Sequence, residues 1–90
     1  MTKKPYLEMT YRHVHPMAAY LYLPRATLDK SYRTSKADPG MIIDYTENGK
    51  PIGIEITAPL KVTINDLNKV LYSIGVAELT SDDIAPLKAA

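Results

Sequence analysis

Residues 41–57, MIIDYTENGKPIGIEIT, decide the fold of this chain because they have the pattern of a β-hairpin. Two isoleucine-rich runs flank Asn48 and Gly49, and this dipeptide is the strongest short-range signal for a tight turn between antiparallel strands. Both residue types tolerate the positive φ angles of a two-residue loop. The sequence therefore predicts two paired strands joined at positions 48–49.

The predicted turn determines which side chains share a face of the hairpin. Because side chains alternate along a strand, a two-residue loop places Tyr45 opposite Ile52 and Asp44 opposite Gly53. One face then carries large apolar side chains, namely Met41, Ile43, Tyr45, Ile52, Ile54 and Ile56. The other face carries Ile42, Asp44, Thr46, Pro51, Gly53 and Glu55. A one-residue slip would destroy this separation, so the pattern supports the register.

The residues before the hairpin predict further strands. Residues 6–12 alternate apolar and polar side chains, as a half-buried strand does. Residues 18–23 have bulky side chains on both faces, with Tyr20 and Tyr22 on one of them, which predicts a central strand covered on both sides. We expect Pro16 to exclude the preceding residues from that strand, since proline cannot donate a ladder hydrogen bond.

The second half of the chain changes to a helical period. Residues 64–74 place their apolar side chains along one stripe. Thr63 is a good N-cap, Asp66 stands in the position of a capping box, and Gly75 is a typical helix terminator. A second helix start follows at residues 80–83, and a proline shortly after it limits that helix to about one turn.

Together these patterns predict the fold class and an association. We also predict a short strand near residues 32–36. Together the patterns indicate an α+β protein with an antiparallel meander of four to five strands, one C-terminal helix packed on one face, and a one-turn helix after it. The 90 residues make a single domain. One helix covers only one face, and a contiguous exposed apolar patch usually marks an interface. We therefore expect a homodimer in which a second copy covers the other face or a sheet edge. The alternative is that residues 25–36 of the same chain fold over the exposed patch.

The composition limits the classes of function. Eleven basic and ten acidic side chains give a formal net charge of +1, which supplies no strong attraction for nucleic acid or an anionic membrane. The chain has no cysteine, which excludes disulfides and thiolate chemistry. No apolar run approaches the length of a membrane span, and the start of the chain lacks the pattern of a signal peptide. We expect a cytoplasmic protein without membrane contact.

Asp44 and Glu55 are the first candidates for a chemical site. They lie diagonally on one face of the predicted hairpin, and two such carboxylates could serve a hydrolase or a metal-dependent nuclease. The alternative is that they bond to backbone groups or to cations across a subunit boundary. Gly53, beside them, would allow another chain to approach closely.

Histidines and tyrosines suggest two further hypotheses. His13 and His15 have the spacing of two metal ligands on a strand, but no third or fourth ligand is spaced with them. Tyr11, Tyr20 and Tyr22 could stack the bases of single-stranded RNA. Without an excess of basic residues, however, tyrosines are more typical of a core or an interface. We expect no metal, no cofactor and no nucleic-acid partner.

The favoured function is therefore a small protein-interaction domain. The sheet would supply a rigid surface on which Tyr20, Tyr22 and Ile42 contact another protein, while Asp44 and Glu55 set polarity and register. A hydrolase or nuclease-like enzyme that uses the two carboxylates is the second hypothesis, and a single-stranded RNA binder is the third.

Three segments resemble the bacterial family called domain of unknown function 2283. They are AYLYL at residues 19–23, PGMIIDY at residues 39–45 and NGKPIGIEI at residues 48–56. The family pattern is an Ala-Tyr-aliphatic-Tyr strand, a Pro-Gly-aliphatic-Asp strand, and an Asp-Gly or Asn-Gly turn before Gly-Ile-Glu. The resemblance covers about residues 7–60, which leaves residues 61–90 as a helical extension.

This resemblance implies a small sheet-plus-helix domain of unassigned function. Some members look like partners of small toxin-like proteins, so it also implies an antitoxin-like role. The chain departs from the family at Arg12 and Met17, where acidic residues are usual.

Overall fold

A computed structural model of the chain describes residues 6–12, 15–24, 26 and 28–76. Five strands and one helix follow in the order β1 Tyr6–Arg12, β2 His15–Tyr22, β3 Arg33–Ala37, β4 Met41–Tyr45, β5 Pro51–Ile56 and α1 Ile64–Ser73. The five strands form one antiparallel sheet beside the helix, so the α+β class is confirmed. β3 lies one residue later than the strand expected near residues 32–36. The helix start predicted at residues 80–83 lies outside the described residues.

The strand order β1-β2-β5-β4-β3 departs from that of a simple meander. The strands β1 and β2 are one unit and β3, β4 and β5 are another, and the two units join through β2 and β5. This junction places Leu21 opposite Ile54 and Ala19 opposite Ile56, so the apolar rows of the two units become continuous. The prediction that β2 is an internal strand is confirmed, whereas β1 and β3 are the edges. β2 was also expected to be covered on both faces, but Leu21 is buried on one face while Tyr20 and Tyr22 are only half-buried on the other.

β2 begins at His15, earlier than the predicted start at residue 18, and it includes Pro16. The expectation that Pro16 excludes the preceding residues from this strand was wrong. Pro16 pairs with Tyr11 of β1, but pairing with β5 starts only at Ala19. The first part of β2 is therefore paired on one side only, where a missing N–H donor is tolerated.

The hairpin turn is longer than predicted. The carbonyl of Thr46 accepts a hydrogen bond from the Gly49 N–H at 2.9 Å, and the Thr46 N–H donates to the Lys50 carbonyl at 2.9 Å. The loop therefore contains the three residues 47–49 instead of two. Gly49 has a φ of +88°, the left-handed conformation that typically closes a three-residue loop.

A second irregularity restores the predicted register. Tyr45 lies opposite Pro51 and not opposite Ile52, but a register shift between Asp44 and Tyr45 brings Asp44 opposite Gly53. The longer loop and this bulge offset each other, so the predicted pairs from Asp44–Gly53 to Met41–Ile56 are confirmed. Without the bulge, the longer loop would shift the apolar side chains of the hairpin to the wrong face.

The predicted apolar face of the hairpin lies in the core. Its buried members are Met41, Ile43, Ile52, Ile54 and Ile56, and Tyr45 packs partly buried against them. Cross-strand rows continue this surface onto β1 and β2 through Leu7, Met9, Ala19 and Leu21. The helix α1 covers the rows with three buried side chains, Leu67, Val70 and Leu71.

α1 begins at Ile64 as predicted and ends at Ser73, one residue before the predicted end. Thr63 Oγ1 accepts a hydrogen bond from the Asp66 N–H at 3.1 Å, and Asp66 Oδ2 accepts one from the Thr63 N–H at 2.9 Å. These two bonds form a complete capping box. At the other end, Gly75 has a φ of +78°, and the Val76 N–H donates to the Leu71 carbonyl at 2.9 Å. This arrangement is a Schellman motif.

We expect Thr63→Ala to lower the free energy of unfolding by about 1 kcal/mol, because the first turn of α1 loses its side-chain acceptor. Thr63→Ser keeps a hydroxyl oxygen at the same position and is the matched control, with an expected loss of at most a few tenths of a kcal/mol. Urea denaturation of the three proteins measures the difference. Equal stabilities of the alanine and serine variants would contradict a stabilising cap.

Candidate functional site

The sheet face opposite α1 carries the six residues that the sequence predicts to bind a partner. Cross-strand pairing arranges its side chains in two rows. The first row is Glu8, Tyr20, Glu55, Ile42 and Lys36, and the second is Tyr22, Gly53, Asp44 and Thr34. We call these two rows the open face, because the buried side chains of α1 all join the core on the other face.

Tyr20 lies across Gly53 and reaches Asp44. Its hydroxyl donates a hydrogen bond to Asp44 Oδ2 at 2.5 Å. A Cβ atom on Gly53 would lie 1.9 Å from the Tyr20 hydroxyl oxygen and 2.3 Å from Cζ, so only glycine leaves room for the ring. Gly53 was expected to admit another chain, but the group that approaches it is a side chain of the neighbouring strand.

Tyr22 packs against Tyr20 and connects it to Glu8 on the edge strand β1. Its ring centroid lies 4.7 Å from that of Tyr20, with an edge-to-face angle of 65°. The Tyr22 hydroxyl donates to Glu8 Oε1 at 3.0 Å. Both rings are half-buried, and each hydroxyl is held by a carboxylate. Glu8 was not among the predicted site residues, because the alternation within β1 does not reveal which residues of β2 lie beside it.

Asp44 and Glu55 lie diagonally on neighbouring strands, as predicted. Asp44 is half-buried and bonded to Tyr20, whereas Glu55 is exposed between Tyr20 and Ile42. Two surface hollows of about 400 and 390 Å³ are lined by described residues. One lies between the loop before β3 and the hairpin loop, and the other lies on the outer side of α1. Neither hollow includes the two carboxylates, so these hollows provide no cleft for an acid/base pair.

The described residues offer limited support for the metal and RNA hypotheses. They contain no cluster of three or more potential metal ligands. The side chains of His13, His15 and Tyr11 lie outside the described part of the chain, so hypotheses that depend on them stay predictions. The described side chains of the open face include three carboxylates and one ammonium group, a balance that repels a phosphate backbone. Within the same residues, no helix has both the length and the apolar character needed to cross a bilayer.

We expect Tyr20→Phe to lower the free energy of unfolding by about 1.5–3 kcal/mol, because it removes a hydrogen bond to a half-buried charged group. Tyr22→Phe is the matched control, since its hydrogen bond to Glu8 is exposed and longer. That variant should lose about 1 kcal/mol or less. Thermal unfolding followed by circular dichroism separates the two, and equal losses would contradict a special role for the Tyr20–Asp44 bond.

The strand order and the open face define a small antiparallel-sheet domain with a single covering helix among its described residues. Residues 18–58 match the model of a family described as Protein of unknown function (DUF2283). The resemblance predicted for about residues 7–60 is confirmed over residues 18–58. The match spans Tyr20, Asp44, Gly53 and Glu55, whereas β1 and α1 lie outside it. No curated protein and no solved structure matches the chain.

Proposed function

We propose that this chain is a protein-interaction domain whose open face binds a partner protein, in keeping with the antitoxin-like role that the family resemblance implies. The observation that carries the proposal is the position of Tyr20, held between Gly53 and Asp44 on the face that α1 leaves uncovered. Tyrosine is enriched at interfaces because its ring packs while its hydroxyl keeps a hydrogen bond. A ring that is already fixed loses little conformational entropy when a partner binds.

A matched pair of charge-reversal variants tests this proposal. Glu55→Arg changes an exposed side chain at the centre of the open face, and Glu47→Arg makes the same change on the exposed hairpin loop. Both proteins should fold like the wild type. In affinity capture from the native host with nuclease treatment, we expect the wild type and Glu47→Arg to retain a partner that Glu55→Arg loses. Equal capture by all three proteins would contradict binding at the open face.

We also propose that two copies associate along β3. β3 is an edge strand, and its residues 33–36 are exposed. Antiparallel self-pairing centred on Ser35 would place Arg33 opposite Ala37 of the second copy and Lys36 opposite Thr34, so that like charges do not meet. A dimer formed through the open faces would instead bring the carboxylates of both copies together.

Substitutions at Thr34 test this arrangement with opposite expected signs. In the proposed dimer Thr34→Lys faces Lys36 of the second copy and should weaken association, whereas Thr34→Glu should strengthen it. Light scattering over a concentration series measures both effects. We expect the wild type to have twice the mass of one chain, and a single-chain mass at every concentration would contradict the dimer.

A further inference from the structure

We infer that the partner of the open face is a protein that presents arginine side chains, an inference that rests on the proposed function. Tyr20 is flanked in its row by Glu8 on β1 and Glu55 on β5. Its hydroxyl is bonded to a third carboxylate, that of Asp44. Carboxylates on three different strands therefore surround one half-buried aromatic ring.

Among the described residues, the three carboxylates of this surface outnumber its one ammonium group, that of Lys36. The ion pair found within the described part of the chain joins Asp29 to Lys50 at 2.7 Å, away from the open face. Lys36 is the cation of the first row, and it lies diagonally across from Asp44 on the neighbouring strand. It lies two strands from Glu55, at a separation of about 10 Å. That separation is about one Debye length at physiological ionic strength, so solvent screens most of the attraction. The centre of the open face is therefore complementary to a cationic surface.

The residue types of the open face favour arginine over other cations. A guanidinium group is planar, stacks on a tyrosine ring and can bind a carboxylate through two parallel hydrogen bonds. Glu8 and Glu55 can each offer an oxygen beside the same ring, because they stand on either side of Tyr20. A second copy of this chain would present the same negative charge, and nucleic acid would present phosphates, so neither fits this surface.

Short peptides of defined charge test the inference directly. The probes are an alternating Arg-Ser peptide, its Lys-Ser counterpart and an Asp-Ser peptide, each titrated into the isotope-labelled protein and followed by amide chemical shifts. We expect the Arg-Ser peptide to bind most tightly and to shift amides of β2 and β5. The double variant Glu8→Gln/Glu55→Gln should weaken its binding about tenfold or more, whereas Glu47→Gln should leave it unchanged. The inference is overturned if the Asp-Ser or Lys-Ser peptide binds as tightly, or if the double variant binds normally.

The outcome for the native partner separates this inference from the proposed function. One outcome is that capture depends on the open face while the captured partner binds equally well to the wild type and to Glu8→Gln/Glu55→Gln. In that case the proposed interaction function is retained and the inference of an arginine-presenting partner is wrong. If no captured protein depends on the open face and the Arg-Ser peptide does not bind, both proposals are wrong.

Discussion

Replacement of Ile54 by alanine is expected to lower the free energy of unfolding by about 2–5 kcal/mol. Ile54 is fully buried, with 0% of its surface exposed, between Leu21 and Ile43 in the middle of the sheet. Its neighbours are held by backbone pairing on both sides, so they cannot move in to fill the cavity. A loss of this size is a large part of the roughly 5–15 kcal/mol that stabilises a typical domain.

The measurement is thermal or urea unfolding, with Ile42→Ala as the matched control. Ile42 is the same residue type on the same hairpin, but it is only half-buried and lies on the open face. We expect Ile54→Ala to lower the melting temperature by about 8 °C or more, and Ile42→Ala to have a clearly smaller effect. Equal losses would mean that both faces of the sheet are packed to the same degree, which would remove the open face as a binding surface.

Gly53→Ala is expected to destabilise the protein by about 1–3 kcal/mol and to break the Tyr20–Asp44 hydrogen bond. The added Cβ would lie 1.9 Å from the Tyr20 hydroxyl oxygen, a distance that the ring can relieve only by leaving its position. Asp44 would then lose a hydrogen-bond donor while it is half-buried. The backbone of Gly53 does not have a positive φ, so the effect comes from crowding.

A double-mutant cycle isolates this contact. Tyr20→Ala removes the ring that would clash with a side chain at position 53. In the Tyr20→Ala background, Gly53→Ala should therefore lower the free energy of unfolding only slightly, and the effects of the two substitutions on that free energy should not be additive. Tyr22→Ala is the control, because the three atoms nearest to the added Cβ all belong to Tyr20. Additive losses in the Gly53–Tyr20 cycle would show that the glycine serves another purpose.

The helix and most of the strands could be predicted because their signals are local. The ends of α1 depend on hydrogen bonds between residues a few positions apart, such as the capping box of Thr63 and Asp66. The strand β1 was predicted with correct ends because its apolar and polar side chains alternate without interruption. The early start of β2 could not be predicted in the same way, since Pro16 is tolerated only where one partner strand is missing.

For the hairpin, the predicted register was correct although the predicted length of the turn was wrong. Asn48 and Gly49 are compatible with loops of two or three residues, so turn chemistry alone did not decide the loop length. Burial of the isoleucines requires Ile43 to lie opposite Ile54, and a bulge next to Tyr45 meets that requirement despite the longer loop. The hydrophobic pattern is therefore a more reliable predictor of strand register than the identity of the turn residues.

By itself, the sequence determined most of the secondary-structure elements and the core side of the hairpin, because each depends on periodicity or on neighbouring residues. Only the tertiary structure decided that β2 pairs with β5, since strands far apart in the chain have no local signal for their partner. That pairing places Tyr20 over Gly53 and beside Glu8 and Glu55, and so creates the surface on which both proposals rest.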